Sequence, residues 1–356
     1  MKRVFIGFLV ILVFPASYVA WLAFSPSHFD PQSWQSPMIS HNYGAKPFPP
    51  LNVHPLPAGM RDHEHLSTLP DGSLIGGLIN GQIIRWSALD AEPKVFATLK
   101  GRPLGFDVSL DGTVYVADAF NGLYKVNLDG EVSLLADAVE DGSPIRYANS
   151  VAVHSSGRIF FTDASQRYAA KDHGTYPASI LDLIDHHRTG RVLMYDPDTQ
   201  KTIVVKDGFS FANGLALTPD ESELLVVETG EYRVHRLSIE PENWGESELL
   251  IGDLPGFPDN LHPTENGYWL GIVAPRNGLI DRLAQWPKLR TIVGRLPEWL
   301  RPKATRFGRL IHLNEEGEIT HHYVDPTGAL AFVTSAVTGD FGVCVAQLHG
   351  GSLSCF

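Results

Sequence analysis

Short apolar runs that begin at a turn and lead into a more polar run recur six times along the chain. They are LPDGSLIGG (69–77), SLDGTVYVAD (109–118), HSSGRIFFTD (154–163), TPDESELLVVET (218–229), PTENGYWLGI (263–272) and TGDFGVCVAQ (338–347). The polar followers are GQIIRWS (81–87), GLYKVNLDG (122–130), GRVLMYDPD (190–198), YRVHRLSIE (232–240), GRLIHLNEEG (308–317) and GGSLSCF (350–356). Alternating or β-branched runs of this length, broken by DG and NG turns, are strands and hairpins. Spaced mostly about 40–45 residues apart, they predict the blades of an all-β, six-bladed propeller with four strands per blade. A β-sandwich would not repeat one two-strand signature six times. The first strand of each unit is the most apolar and is read as the innermost, covered on both faces.

Two intervals are stretched, and both predict helical insertions. One lies near 171–188, where ILDLIDHH has helical spacing. The other lies near 276–303, where apolar residues from Leu279 to Trp299 follow three- and four-residue steps among five Arg or Lys between Arg276 and Arg295. A basic amphipathic helix with Trp suits a membrane surface; the plainer reading is a cap over one propeller face, and the two are compatible.

The N-terminus breaks the pattern altogether. Lys2 and Arg3 precede an uncharged apolar run from Val4 to Phe24, long enough at about 1.5 Å per residue to cross a hydrocarbon layer of about 30 Å. Cleavage after Ala20 or Ala23 would put Tyr18 or Trp21 at the −3 position, which suits a signal peptidase poorly. Residues 1–24 therefore read as an uncleaved transmembrane signal anchor with a cytoplasmic N-terminus, and the propeller on the periplasmic, lumenal or extracellular side. Residues 25–57, rich in Pro, Ser and His, read as a tether, and 58–356 as the propeller.

Composition narrows the function. The 356 residues carry a net charge of −12 with no long charged run, and a nucleic-acid partner would need a basic footprint. The only cysteines, Cys344 and Cys355, exclude a CxxC zinc site and a disulfide framework. One bridge is available to them in an oxidising compartment. However, a tight turn at Gly350-Gly351 would set Ala346 opposite Cys355, and free thiols are expected.

Candidate chemistry comes from aligning the units on their turn glycines. Eight residues upstream, where each innermost strand begins, stand Glu64, Asn149 and Asp259, and the TPD turn of the fourth unit gives Asn213 by the same alignment. The second unit gives Leu104 and the sixth Thr334. Equivalent positions of innermost strands converge on the central channel, so two carboxylates and two amides meet there. An all-oxygen set suits Ca²⁺, which takes six to eight oxygens, with waters or Asn260 completing the shell; zinc or copper would want His or Cys. The expectation is one axial Ca²⁺ held by Glu64, Asn149, Asn213, Asp259 and Asn260.

The segments NSVAVHSSGRIFFTDASQRY, GFSFANGLALTPDESELLVVET and LPGFPDNL, with RLPEWLRPKATRFGRLIHLNEEGEI, resemble the signature stretches of strictosidine-synthase-like proteins. The resemblance runs from about Pro57 to the C-terminus and is strongest to the adipocyte plasma-membrane-associated type, which also carries a signal anchor. The wider superfamily holds paraoxonases and gluconolactonases, six-bladed propellers with an axial Ca²⁺ bound by Glu, Asn and Asp. The resemblance implies a calcium-dependent hydrolase of small-molecule esters or lactones (an arylesterase or lactonase); Asp259, a ligand with a second free oxygen, is the expected general base or the group that positions water. A non-catalytic propeller with a structural Ca²⁺ is the alternative. Strictosidine-type condensation fits less well, because the sixth unit, TSAVTGDFG, lacks the late Glu and offers only Asp340 in a turn.

Phe120, Tyr147, Tyr168, Phe211 and Phe257 lie near inner-strand ends and are expected to line an apolar pocket. His63 and His65 share the strand face opposite Glu64 and read as polar residues near the channel mouth. His186-His187 and His321-His322 read as solvated. No GxSxG elbow is present, and Asn149-Ser150 has no His partner in sequence, so a serine triad is not expected.

Overall fold

The computed structural model describes residues 17–18, 21–22, 25, 29–38 and 44–356. The expected anchor, residues 1–24, falls mostly outside these, and among the described residues no helix is long and apolar enough to cross a membrane. Six sheets are present, each built on four antiparallel strands. Their innermost strands are Leu66–Thr68, Pro103–Val108, Ala148–Val153, Ala212–Leu217, Gly256–Thr264 and Val333–Gly339. Each touches its counterpart in the next sheet, and the sixth touches the first, so the ring closes as a six-bladed propeller.

The strands expected to be innermost are in fact second. Leu74–Gly77 and Ile159–Asp163, for example, follow the DG- or SG-type turn and sit one place out from the axis. Both inner strands of a blade are packed on two faces, so Phe106 and Val116 are equally buried. Apolarity therefore does not rank them. The hydrophobic core is a ring of clusters between neighbouring blades. One joins Leu225 and Val227 of the fourth blade to Leu261 and Leu270 of the fifth. Another joins Leu66 and Trp86 of the first to Val337 and Leu353 of the sixth.

The stretch read as a tether contributes two strands. Asn52–Pro55 pairs antiparallel with Ser352–Cys355 as the outer strand of the sixth blade. That blade is thus made from both ends of the propeller's sequence. Lys46–Pro47 adds a parallel fifth strand to the fifth blade. Pro47 and Pro55 are compatible with these places because both strands are sheet edges, where a missing N–H is harmless.

Cys344 and Cys355 are directly opposite and form a disulfide with Cα atoms 4.0 Å apart. The expected free thiols are corrected by register. The loop between the strands is longer than a two-residue turn, because Gln347 ends one strand and Ser352 begins the next, and His349 takes a left-handed φ of 59°.

Both insertions are helical and lie over one end of the propeller, at the N-terminal ends of the inner strands. The first carries helix Thr175–Asp185. The second carries Gly278–Arg282, capped by the Asn277 side chain, and helix Pro287–Arg295. Residues 29–36 strap them together. Gln32 N donates to Asp185 O at 2.8 Å and Trp34 N to Ala284 O at 3.2 Å. The fully buried Arg290 donates to Ile184 O at 2.8 Å, to Ala284 O at 3.1 Å and to Gln32 O. One guanidinium therefore joins three segments through their carbonyls.

Candidate functional site

Every expected ligand position on an inner strand falls at an irregularity of that strand. Pairing with the second strand slips between Ala148 and Val151, between Ala212 and Leu215, and between Pro258 and Leu261. Asn149, Asn213, Asp259 and Asn260 occupy those slips; Leu104 and Thr334 occupy the matching ones of the second and sixth blades. A bulge of this kind re-aims a side chain, and here it turns Asn149, Asn213 and Asp259 into one axial cavity together with Glu64. Close approach of the strands is secured by glycine: a Cβ on Gly214 would lie 2.5 Å from Asp259 O, and one on Gly105 2.6 Å from Asn149 O.

Acids at the ends of the second strands hold the entry to each inner strand. Asp163 Oδ1 accepts from Tyr147 N at 2.8 Å, and Glu228 Oε1 from Ser210 N at 2.8 Å. Both acids are neutralised in place, Asp163 by Arg191 and Glu228 by Arg233, with His235 Nε2 within 2.8 Å of Glu228 Oε2. The amide of Asn213 is oriented by donation to Thr229 Oγ1 at 3.1 Å, whose own hydroxyl donates to Pro258 O at 2.8 Å.

The oxygens this leaves over fit a hard cation. Asn149 Oδ1 and Asn213 Oδ1, both of cavity-wall residues, are buried without a hydrogen-bond partner, an arrangement that costs free energy unless something else is bound. Burial and the nearby Glu64 carboxylate push Asp259 well above the usual carboxylate range. Burial also raises Glu64, with Arg102 pulling the other way. Arg102 pairs with Glu64 at 3.3 Å, and Arg276, also on the wall, is engaged by Asp281; among the described residues no ion pair is formed by Asp259, whose ionised form a divalent cation would compensate. Among the described residues no three His, Cys, Asp or Glu converge in metal-binding geometry; a cation here depends on the amide oxygens. Asn260 is buried but off the cavity wall. Its amide donates to Asp259 Oδ1 at 3.2 Å, which makes it a support for Asp259.

A second tier stands above the oxygens, two residues before each register position: Asp62, Arg102, Tyr147, Phe211, Phe257 and Phe332, all lining the cavity. Asp62, Phe211 and Phe332 hold left-handed φ values of 62°, 63° and 58°, and such strain persists where the surroundings enforce it. Sequence reading found the aromatic members Tyr147, Phe211 and Phe257 but missed Asp62, Arg102 and Phe332. The same alignment carried two residues further upstream finds all three. Arg102 Nη2 donates to Asp62 O at 3.0 Å and to Glu64 Oε2 at 3.3 Å, and its Nε and Nη1 are buried without partners. Phe120 and Tyr168 are not on the wall; they pack with Leu104 and Ala178 under the first insertion, where Tyr168 donates to Asp185 at 2.9 Å.

The cavity, of about 180 Å³, is roofed by the insertions through Tyr176, Ile180, Ile184, Ile280 and residues 302–304. Histidines play no part in its wall except His349. His63 and His65 are buried rather than at the mouth, and burial lowers them to about 4 and about 3. His186 is likewise buried, not solvated. It lies 3.0 Å from Glu231 and 3.2 Å from Ser210 Oγ and stacks on Trp34. This Ser–His–Glu chain lies off the cavity wall and joins the strap to the fourth blade. His322 is also buried while His321 is exposed.

The fold and site thus define a capped six-bladed propeller with an oxygen-lined axial cavity. Sequence comparison places it further. The family model for strictosidine synthase matches residues 149–242, the stretch that carries Asn149 and Asn213. The adipocyte plasma membrane-associated protein of Salmo salar is 36% identical over 247 residues, 66% of this chain and 58% of that protein. Strictosidine synthase-like 13 of Arabidopsis thaliana is 36% identical over 237 residues, 65% of this chain and 57% of that protein. Over these stretches the chain is similar to strictosidine-synthase-like proteins. Its matches span less than two thirds of the length of these relatives. Among solved structures it is similar to a gluconolactonase from Xanthomonas campestris, with a TM-score of 0.63 at 15% identity over 92% of this chain and 97% of that one. It is also similar to regucalcin, a calcium-binding protein of Agrobacterium tumefaciens, with a TM-score of 0.58 at 14% identity over 86% and 94%. At such identities the likeness concerns the fold.

Proposed function

We propose that the axial cavity hydrolyses small apolar esters or lactones with the help of a Ca²⁺ ion. The observation that carries the reading is the convergence of buried, unpartnered amide oxygens and two buried carboxylates at the floor of a largely apolar cavity. Glu64, Asn149, Asn213 and Asp259 would hold the ion, with Asn260 steadying Asp259. When bound, it supplies Lewis-acid polarisation of a carbonyl oxygen. The names gluconolactonase and regucalcin among similar folds support both the reaction class and the metal.

The chain's own side chains divide the remaining work. Asp259 takes the proton of the attacking water as general base. The water oxygen bonds to the carbonyl carbon, the acyl–oxygen bond breaks, and the proton passes to the departing alkoxide. Acid and alcohol result, joined in one molecule when the substrate is a lactone. Arg102 has two N–H groups to offer an oxygen that gains negative charge. Tyr147, Phe211, Phe257 and Phe332 bind the apolar part of the substrate, and the helical roof limits water.

A binding module without catalysis is the second reading, favoured by one observation: Arg102 already supplies a counter-charge to Glu64. Phenyl acetate and a panel of lactones, assayed on the full chain, separate the two. Hydrolysis that disappears with EDTA, returns with Ca²⁺ and is lost in Asp259→Asn is expected. Turnover indifferent to EDTA, or unchanged in Asp259→Asn, would exclude the mechanism, and no turnover on any substrate would favour the binding module.

A further inference from the structure

Helix Pro287–Arg295 is inverted relative to a helix that caps a globular core. Its buried positions are Arg290 and Gly294, one turn apart, whereas Trp286 is 62% and Leu289 44% exposed. Trp286 and Leu289 thus face solvent, Ile292 and Val293 are half-buried, and the arginine faces the protein. Beyond the helix, Trp299 is 72% and Leu300 48% exposed, and Leu279 just before it is 49% exposed. Exposed side chains of this size recurring through one insertion mark a contact surface.

Two observations say what covers it. Between residues 276 and 306 the chain carries eight Arg or Lys against two acids, in a protein whose net charge is −12. Arg282, Lys288, Lys303 and Arg306 among them are exposed. In addition, the end of the N-terminal apolar run lies against the same helix. Arg295 Nη1 donates to Leu22 O at 2.6 Å and to Ser25 O at 3.0 Å, and its guanidinium lies 5.1 Å over the Trp21 ring, which is itself 57% exposed. Exposed Trp and Leu interspersed with exposed cations in one insertion, against which the end of an uncharged apolar run is held, have the chemistry of a surface that seats in an anionic bilayer to a depth of about 5–10 Å.

We propose that the outer face of the cap, Trp286, Leu289, Trp299 and Leu300, docks into the headgroup layer of an anionic membrane. The roof residues 302–304, which also line the cavity, then lie at the lipid surface, and ligands reach the cavity from that surface. The docking itself does not depend on whether the cavity is hydrolytic.

The test uses the full chain in nanodiscs of phosphatidylcholine and phosphatidylserine, labelled with an environment-sensitive fluorophore at Trp299→Cys. A second protein is labelled at Leu110→Cys, which is 98% exposed in the turn that closes the opposite end of the propeller. The native cysteines are bridged and buried, so they do not compete for label. The label at 299 is expected to shift to the blue and to be quenched several-fold more by lipid-borne nitroxides than the label at 110. Leu289→Glu in the same protein should at least halve that quenching. Equal quenching at the two positions would overturn the proposal. So would a shift at 299 that follows protein density instead of lipid-borne quencher, because a second copy of the chain would then occupy the face.

Discussion

Thr334 Oγ1 donates to the backbone carbonyl of Glu64 at 2.6 Å, across 270 residues of sequence. The bond joins the sixth inner strand to a residue two before the start of the first, so closure of the ring and placement of Glu64 are one event. Thr334→Val keeps the shape and removes the donor. Loss of a buried hydrogen bond of this kind costs about 1–3 kcal/mol. A lower thermal midpoint with a weaker requirement-linked Ca²⁺ response is expected. An unchanged midpoint and unchanged Ca²⁺ dependence would mean that the bond holds nothing.

The Cys344–Cys355 bridge lies in the same blade that both ends of the propeller build. A bridge closing 11 residues stabilises by about 3 kcal/mol on the chain-entropy estimate. Cys355→Ser should therefore melt several degrees lower than the parent. Dithiothreitol should lower the parent's midpoint toward that of the variant and leave the variant's own midpoint in place. Equal melting of parent and variant without reductant would show that the bridge is dispensable.

Asp182 lies buried in helix Thr175–Asp185, accepts the Ser165 hydroxyl and keeps Oδ1 without a partner. Burial raises it from 3.8 to about 7. The unfolded chain therefore loses this proton first as pH rises, and the folded chain last. Stability is greatest below about pH 4 as far as this group is concerned and declines up to about pH 7, by on the order of 4 kcal/mol. Denaturant titrations at about pH 5 and about pH 7.5 should show that decline in the parent and a flatter profile in Asp182→Asn. Identical slopes would place the proton elsewhere.

The architecture and the floor of the site were legible in the sequence because both obey the repeat. A turn that recurs at fixed phase marks the blades, and counting back from it reaches Glu64, Asn149, Asn213 and Asp259. What escaped does not repeat or is not decided by hydropathy. Burial on both faces hid which of two apolar strands is innermost. Edge strands tolerate Pro, so Asn52–Pro55 read as a tether. A loop residue in the left-handed region moved Cys344 opposite Cys355. Asp62 and Arg102 carry charges where the other four blades carry aromatic rings, so side-chain type gave no hint of their equivalence; only position did. Phe120 and Tyr168 have the right type near the right strands, yet the insertion helix covers them. In Pro287–Arg295 the apolar period is real, but the strap and Ile184 claim the opposite face through Arg290.

Calorimetric titration of Ca²⁺ into the full chain, stripped of divalent ions, bears most directly on the axial site. One binding event is expected, weakened at least about tenfold in Asn149→Leu, which loses an oxygen from the set, and in Asp259→Asn, which loses its negative charge. Absence of binding heat in the parent, or binding that both variants leave unchanged, would contradict a cation held by Glu64, Asn149, Asn213 and Asp259.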